Sequence, residues 1–139
     1  MSHRVFVYGT LQFPAIIAAV MGRTPVGTAA TLDGYARYAV KRAPYPAIVP
    51  SPGEQVRGLF IGEIGPAELA CLDDFEGELY RREPVTVTTD DGDEFEAYAY
   101  VLRRRFRASL ADAPWDEQDF AARWHDPYVR ACRAGGEPG

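Results

Sequence analysis

The stretch from Val85 to Val101 constrains the fold of this chain more tightly than any other. Val85, Val87 and Thr89 alternate with Thr86 and Thr88, the period of two by which a strand turns one set of side chains toward a core. Asp91-Gly92 follows, a dipeptide suited to a tight hairpin because the favoured turns need positive φ at their centre. The alternation resumes on the return strand. Phe95, Ala97, Ala99 and Val101 share one face, and Glu94, Glu96, Tyr98 and Tyr100 share the other. Small residues on the first face suit a tightly curved sheet. Two glutamates mark the second as the solvated side.

Around this hairpin the pattern predicts strands at 4–8, 27–32, 35–41, 56–63, 81–89 and 94–102. The segment from Tyr45 to Gly53 holds three prolines and reads as a rigid loop or irregular edge. Pro14 opens a short apolar helix over Ala15 to Met21, and Pro66 opens a second after Gly65. Near the C-terminus Asp116 is placed to cap a helix and Trp115 to pack against Phe120, and Asp126-Pro127 restarts the chain as a further short helix. Trp115, Phe120, Trp124 and Tyr128 read as core cover over the sheet. Mixed strands with helices outside give an α+β fold. The 139 residues, 47% hydrophobic and 12% aromatic, fit one domain over 1–134, with 135–139 a disordered tail.

The net charge of −5 argues against a nucleic-acid partner. The basic run Arg103-Arg104-Arg105-Phe106-Arg107 reads as a solvated strand end or loop. Cys71 reads as a small buried hydrophobe, and no disulfide is expected with Cys132. No membrane span or leader is visible, which points to the cytoplasm. His3 and His125 are isolated and no zinc spacing, Walker loop, dinucleotide fingerprint or nucleophile elbow occurs. The chain therefore calls for no metal, nucleotide or covalent nucleophile.

Two segments carry chemistry. The first is Tyr8-Gly9-Thr10-Leu11, directly after the apolar run Val5-Phe6-Val7. Gly9 offers dihedrals closed to other residues and a close approach to the main chain. The N–H groups of Thr10, Leu11 and Gln12 are placed to converge on an anion such as a carboxylate, with the helix after Pro14 adding its positive end. The second is Leu72-Asp73-Asp74-Phe75-Glu76-Gly77, with Gly77 as helix stop. Leu69, Leu72 and Phe75 form one stripe, and Glu76 falls on it. A carboxyl on a core-facing stripe is either paired or raised in pKa by desolvation; the alternative is a Glu fraying into solvent at the helix end, or an ion pair with Arg81 or Arg82. The raised state is what a general acid/base needs near neutral pH.

The two segments belong to an ordered set. With Tyr45-Pro46-Ala47-Ile48-Val49-Pro50, Val56-Arg57-Gly58, Tyr80-Arg81-Arg82 and Tyr98-Ala99-Tyr100, they span residues 4 to 102. On these residues the chain resembles the γ-glutamylcyclotransferase-like superfamily, and most closely its small AIG2-like branch, which includes γ-glutamylamine cyclotransferases. The segment after Arg103 fits only loosely. The resemblance implies a small β-barrel flanked by helices, and an enzyme that cyclises the γ-glutamyl group of a small amine or peptide to 5-oxoproline. It places the acid/base on Glu76 and substrate contacts on Tyr8, Gly9, Thr10, Leu11 and Tyr100. No cofactor or metal is implied. The expected partner is a small γ-glutamyl compound, with no nucleic acid or membrane, and the expected state is a monomer or weak homodimer. A non-catalytic module binding a small molecule in the same cavity is the alternative.

Overall fold

In a computed structural model, which describes residues 2–134, five strands close into a barrel. They are β1 (His3–Val7), β2 (Gly27–Ala39), β3 (Pro46–Ile64), β4 (Tyr80–Thr89) and β5 (Glu94–Leu102), in the order β1-β3-β2-β4-β5. The tail read at 135–139 lies outside the described residues. Neighbours are antiparallel except β1 and β5, which meet in parallel with Val5 opposite Tyr98. Closure leaves no free sheet edge. The Asp91-Gly92 turn joins β4 to β5, with Gly92 at φ 94° and its N–H bonded to the Thr89 carbonyl at 2.9 Å.

The helices are α1 (Pro14–Met21), α2 (Pro66–Glu76), the short α3 (Glu117–Asp119) and α4 (His125–Arg133). A π-helical turn over Phe120–Trp124 makes α3 and α4 continuous. The Asp116 carboxylate accepts from the Asp119 N–H at 2.9 Å, and Trp115 lies 5.7 Å from Phe120 between ring centres. Among the described residues no helix is long and apolar enough to cross a membrane.

Two cores follow from the strand alternation. Phe6, Leu32, Ile48, Val56, Val87, Ala97, Ala99 and Val101 of the strands form one cluster, the barrel interior, joined by Tyr8 just past the end of β1. Val5, Val7, Tyr100 and Leu102, from the opposite strand faces, pack with Ile16, Leu72, Phe120 and Val129 of the helices. The Tyr100 face of β5 is therefore not solvated: Tyr100 is 3% exposed, beneath the helical layer. Glu94 and Glu96 remain exposed at the end of β5 that the helices do not reach.

Three other readings change. Pro46–Pro50 is strand, paired with Tyr35–Ala39. Its prolines sit where a missing N–H is tolerated: Pro46 starts β3, and Pro50 ends the regular pairing before residues 51–54 loop out opposite Gly34. The two segments expected at 27–32 and 35–41 are one strand, bent at Gly34 with φ 84°. Cys71 is exposed and Trp124 is 42% exposed, because each points away from the apolar stripe of its own helix.

Gly58 of β3 is where the barrel wall is tightest. A Cβ there would lie 2.3 Å from the Val7 carbonyl oxygen and 2.8 Å from the Phe6 ring, while a Cβ on Gly62 of the same strand meets nothing within 4 Å. Gly58→Ala is expected to destabilise the protein by about 2–3 kcal/mol or more in urea titrations, as a backbone atom cannot yield. Gly62→Ala should stay within about 0.5 kcal/mol of the parent. Equal midpoints for the two variants would contradict this barrel packing.

Candidate active site

The chain leaves the barrel after Val7 and turns at once. Thr10–Gln12 form one turn of 3-10 helix, with the Gln12 N–H bonded to the Gly9 carbonyl at 3.1 Å. That bond removes Gln12 from the expected anion cradle. Thr10 and Leu11, in the first turn, have N–H groups without a protein acceptor among the described residues. Helix α1 does not contribute either, since no residue of it lines the hollow. Gly9 sits at φ −130° and ψ −127°, outside the helical and extended regions that other residues favour. Pro46 adds a second demand for glycine, since its Cγ and Cδ would lie 2.7 and 2.8 Å from a Cβ.

The loop is gripped from behind. The Arg37 guanidinium donates to the Tyr8 carbonyl at 2.5 Å, and the Gln12 side chain donates to the Gly9 carbonyl at 3.3 Å. Both donors meet Glu117, at 3.9 and 3.2 Å, and Arg37 lies over Trp115. Two successive carbonyls thus face one polar cluster. In a trans peptide the N–H points opposite to the carbonyl, so the Gly9 and Thr10 N–H groups face away from that cluster.

Across the hollow stands the end of α2. Gly65-Pro66 opens this helix, with the Glu68 carboxylate capping the Gly65 N–H at 2.9 Å, and Gly77 ends it at φ 73°. Leu69 and Leu72 are buried against the barrel wall. The same stripe carries Glu76 into the hollow, along with Phe75. Glu76 is half-buried as a residue, but its carboxyl end lies among Tyr8, Tyr80, Tyr100 and Tyr128. Burial, and secondarily the negative charge of Asp73, push this carboxyl up to about 8. No salt bridge reaches it among the described residues: Arg82 pairs instead with Asp73 at 2.9 Å. Asp73 also accepts the Tyr100 hydroxyl at 2.8 Å.

Tyr8, Gly9, Thr10, Leu11, Glu76 and Tyr100 all line this one hollow. The sequence reading missed Tyr128 as a lining residue. Its hydroxyl lies 3.4 Å from that of Thr10, a contact across 118 positions that no local signal announces. Tyr45 and Tyr80 complete the wall, and the Tyr80 hydroxyl donates to the Pro46 carbonyl at 2.6 Å. Burial raises the phenols of Tyr8, Tyr80, Tyr100 and Tyr128, so all four stay protonated near neutral pH. The free volume is about 20 Å³, room for about one water. Any larger ligand must widen the hollow as it enters.

Comparison with known proteins agrees with this geometry. The family model described as γ-glutamyl cyclotransferase, AIG2-like, matches residues 5–122. Protein AIG2 C of Arabidopsis thaliana is 42% identical over 135 residues, covering 95% of this chain and 80% of the relative. The solution structure of an Arabidopsis thaliana protein superposes with a TM-score of 0.74 at 33% identity, covering 97% of this chain and 82% of that one. A structure titled γ-glutamyl cyclotransferase superposes with a TM-score of 0.68 at 19% identity, covering 100% of this chain and 90% of that one, a likeness of fold.

The buried carboxyl has a consequence for stability. The folded chain keeps the Glu76 proton up to about pH 8, whereas the unfolded chain releases it near 4.5. The native state therefore binds more protons across this window, and its stability falls as pH rises through it. Glu76→Gln removes that titration. The variant is expected to melt with the parent near pH 5 and on the order of 5 °C higher at pH 8.5. Coincident melting at both pH values would show that the carboxyl is not desolvated.

Proposed function

The chain belongs to the γ-glutamyl cyclotransferase, AIG2-like, family, and on that premise we propose that it cyclises the γ-glutamyl group of a small γ-glutamyl amine or peptide to 5-oxoproline. The observation that carries the reading is a carboxyl at about 8 without a cation, facing backbone donors without acceptors in the same hollow. The unpaired N–H groups of the Tyr8–Leu11 loop suit the α-carboxylate of such a substrate. With that end anchored, the α-amine is held against its own γ-carbonyl. Fixing a near-attack geometry of this kind supplies about 7–11 kcal/mol of the barrier.

Glu76 as carboxylate takes a proton from the α-ammonium. The freed amine attacks the γ-carbonyl carbon, and the new carbon–nitrogen bond closes a five-membered ring. Protonated Glu76 then gives its proton to the amide nitrogen, whose bond to the same carbon breaks. The ring nitrogen sheds a second proton as the lactam forms. This passes through the same carboxyl to the leaving amine, which departs as an ammonium ion, and Glu76 is a carboxylate again. The nearby phenols, held neutral, do not compete as bases: Tyr8, Tyr80 and Tyr100 spend their protons on the Tyr100 carbonyl, the Pro46 carbonyl and Asp73, while Tyr128 accepts from Thr10 and keeps its own proton to donate. We place the protein in the cytoplasm, where two free cysteines suit a reducing compartment.

Two measurements test this reading. Glu76→Gln should lower 5-oxoproline release by at least about a hundredfold while keeping most ligand affinity. In the parent, kcat/KM should rise with pH toward a limb near 8, as the free protein loses the Glu76 proton, and the limb should be missing from the residual activity of the variant. Near-parent turnover in the variant removes Glu76 from the mechanism. Calorimetry on Glu76→Gln addresses the loop: a γ-glutamyl α-amide should bind roughly ten- to a hundredfold more weakly than the α-carboxylate. Equal affinities would return Tyr8–Leu11 to an ordinary turn.

A further inference from the structure

Glu76 borders a second hollow. With Tyr80 and Tyr100 it forms a partition, and on the far side lies a cavity of about 350 Å³ lined by Arg81, Arg82 and Arg103. Arg82 is neutralised there by Asp73, but Arg81 and Arg103 make no salt bridge among the described residues. Arg103 is held by its Nε, which donates to the Tyr80 carbonyl at 3.1 Å, leaving the end of its guanidinium free to bind. Both arginines also line a neighbouring groove of about 830 Å³, which Arg104, Arg105 and Arg107 continue. The last three lie on the 3-10 segment Arg104–Ser109; at three residues per turn Arg104 and Arg107 share one face, about 6 Å apart along the axis, and Arg105 is turned aside over Phe106. Among the described residues, Glu78 and Glu83 are the only carboxylates in the groove's lining. In a chain of net charge −5, this is a concentrated cationic track, and it begins at the candidate acid/base.

A general acid for amide cleavage must stand beside the leaving nitrogen, which is the junction between the glutamyl half of a substrate and the departing half. Glu76 stands at the junction between two hollows in the same way. We propose that the second hollow and the arginine track hold the departing half, and that this half is polyanionic: an amine bearing two or more spaced carboxylates, of which an oligo-γ-glutamyl chain is the simplest. Spaced carboxylates match guanidiniums spaced through the two hollows, each able to take a carboxylate through paired N–H donors. The inference rests on the cyclisation reading above and specifies its substrate class. The bond changes are those already described: the terminal γ-glutamyl unit leaves as 5-oxoproline, and the shortened chain departs as the amine.

The test compares 5-oxoproline release from tri- and tetra-γ-glutamate with release from γ-glutamyl alkylamines of neutral side chain. The parent should favour the oligo-γ-glutamates by about tenfold or more in kcat/KM, with the preference shrinking as salt is raised. Arg81→Gln/Arg104→Gln, both exposed positions, should bring the ratio toward one. Arg123→Gln, on the far helical segment beside Asp119, should keep it. Equal rates for the two substrate classes in the parent, or a preference unchanged in the double variant, overturn the polyanion track and leave the cyclisation standing. Absence of 5-oxoproline from every compound overturns the cyclisation and the track together.

Discussion

A carboxyl group withdrawn from water needs a cation or keeps its proton, and the candidate site is arranged around that alternative. Helix α2 carries two acidic side chains three positions apart, Asp73 and Glu76, and their surroundings differ. Asp73 faces Arg82 and the Tyr100 hydroxyl. Glu76 faces phenol rings and receives no cation among the described residues. Because Arg82 is engaged by Asp73, it leaves Glu76 to desolvation, and the remaining charge of Asp73 adds to the same effect. Environments that separate two carboxyls in this way are how one short helix can supply a structural ion pair and a proton carrier together.

The opposing wall is made of backbone, and backbone donors are useful only if they are held. Three parts of the chain do so. Arg37 comes from β2, Gln12 from the turn itself and Glu117 from the start of the C-terminal helical segment, and they meet behind the Tyr8 and Gly9 carbonyls. Pro46, at the start of β3, closes on Gly9 from another direction and accepts the Tyr80 hydroxyl through its carbonyl. The loop is therefore set before any ligand arrives, and binding does not have to order it. Changes at Arg37 or Glu117, neither of which lines the hollow, act on it through the orientation of these peptides.

Much of this was legible in the sequence because its signals are local. Gly65-Pro66 and Gly77 bracket α2 to the residue, and the period of 3.6 within it puts Glu76 on the buried stripe. Asp91-Gly92 and the period of two set the β4–β5 hairpin. What was not legible depends on partners far along the chain. Alternation separates the Tyr100 face from the Ala99 face, but which of them is covered is decided by α2 folding over the barrel. The prolines of Pro46–Pro50 argue against a strand until β2 is there to pair with it. Tyr128 reads as core cover, which it is, and its second role needs the position of Thr10. The Gln12 N–H turns back to the Gly9 carbonyl instead of joining the cradle, a 3-10 bond that nothing in Thr10-Leu11-Gln12 signals.

The barrel interior is packed with Phe6, Leu32, Ile48, Val56 and Val87, and at Gly58 a methyl group would meet the Val7 carbonyl and the Phe6 ring. The hollow lies where the two cores meet, lined by Phe6 and Tyr8 of the interior cluster and by Val7, Tyr100 and Tyr128 of the other, on the wall where α2 meets the barrel and the chain leaves β1. On that wall the helix C-terminus becomes a divider. One side is lined by main chain and phenols, suited to a part that every γ-glutamyl compound has in common. The other side is lined by guanidiniums on exposed segments outside the core, suited to a part that differs from one compound to the next. A reaction that breaks the bond between those two parts needs its proton at the boundary, and Glu76 is the titratable group that both sides share with a carboxyl poised near neutral pH.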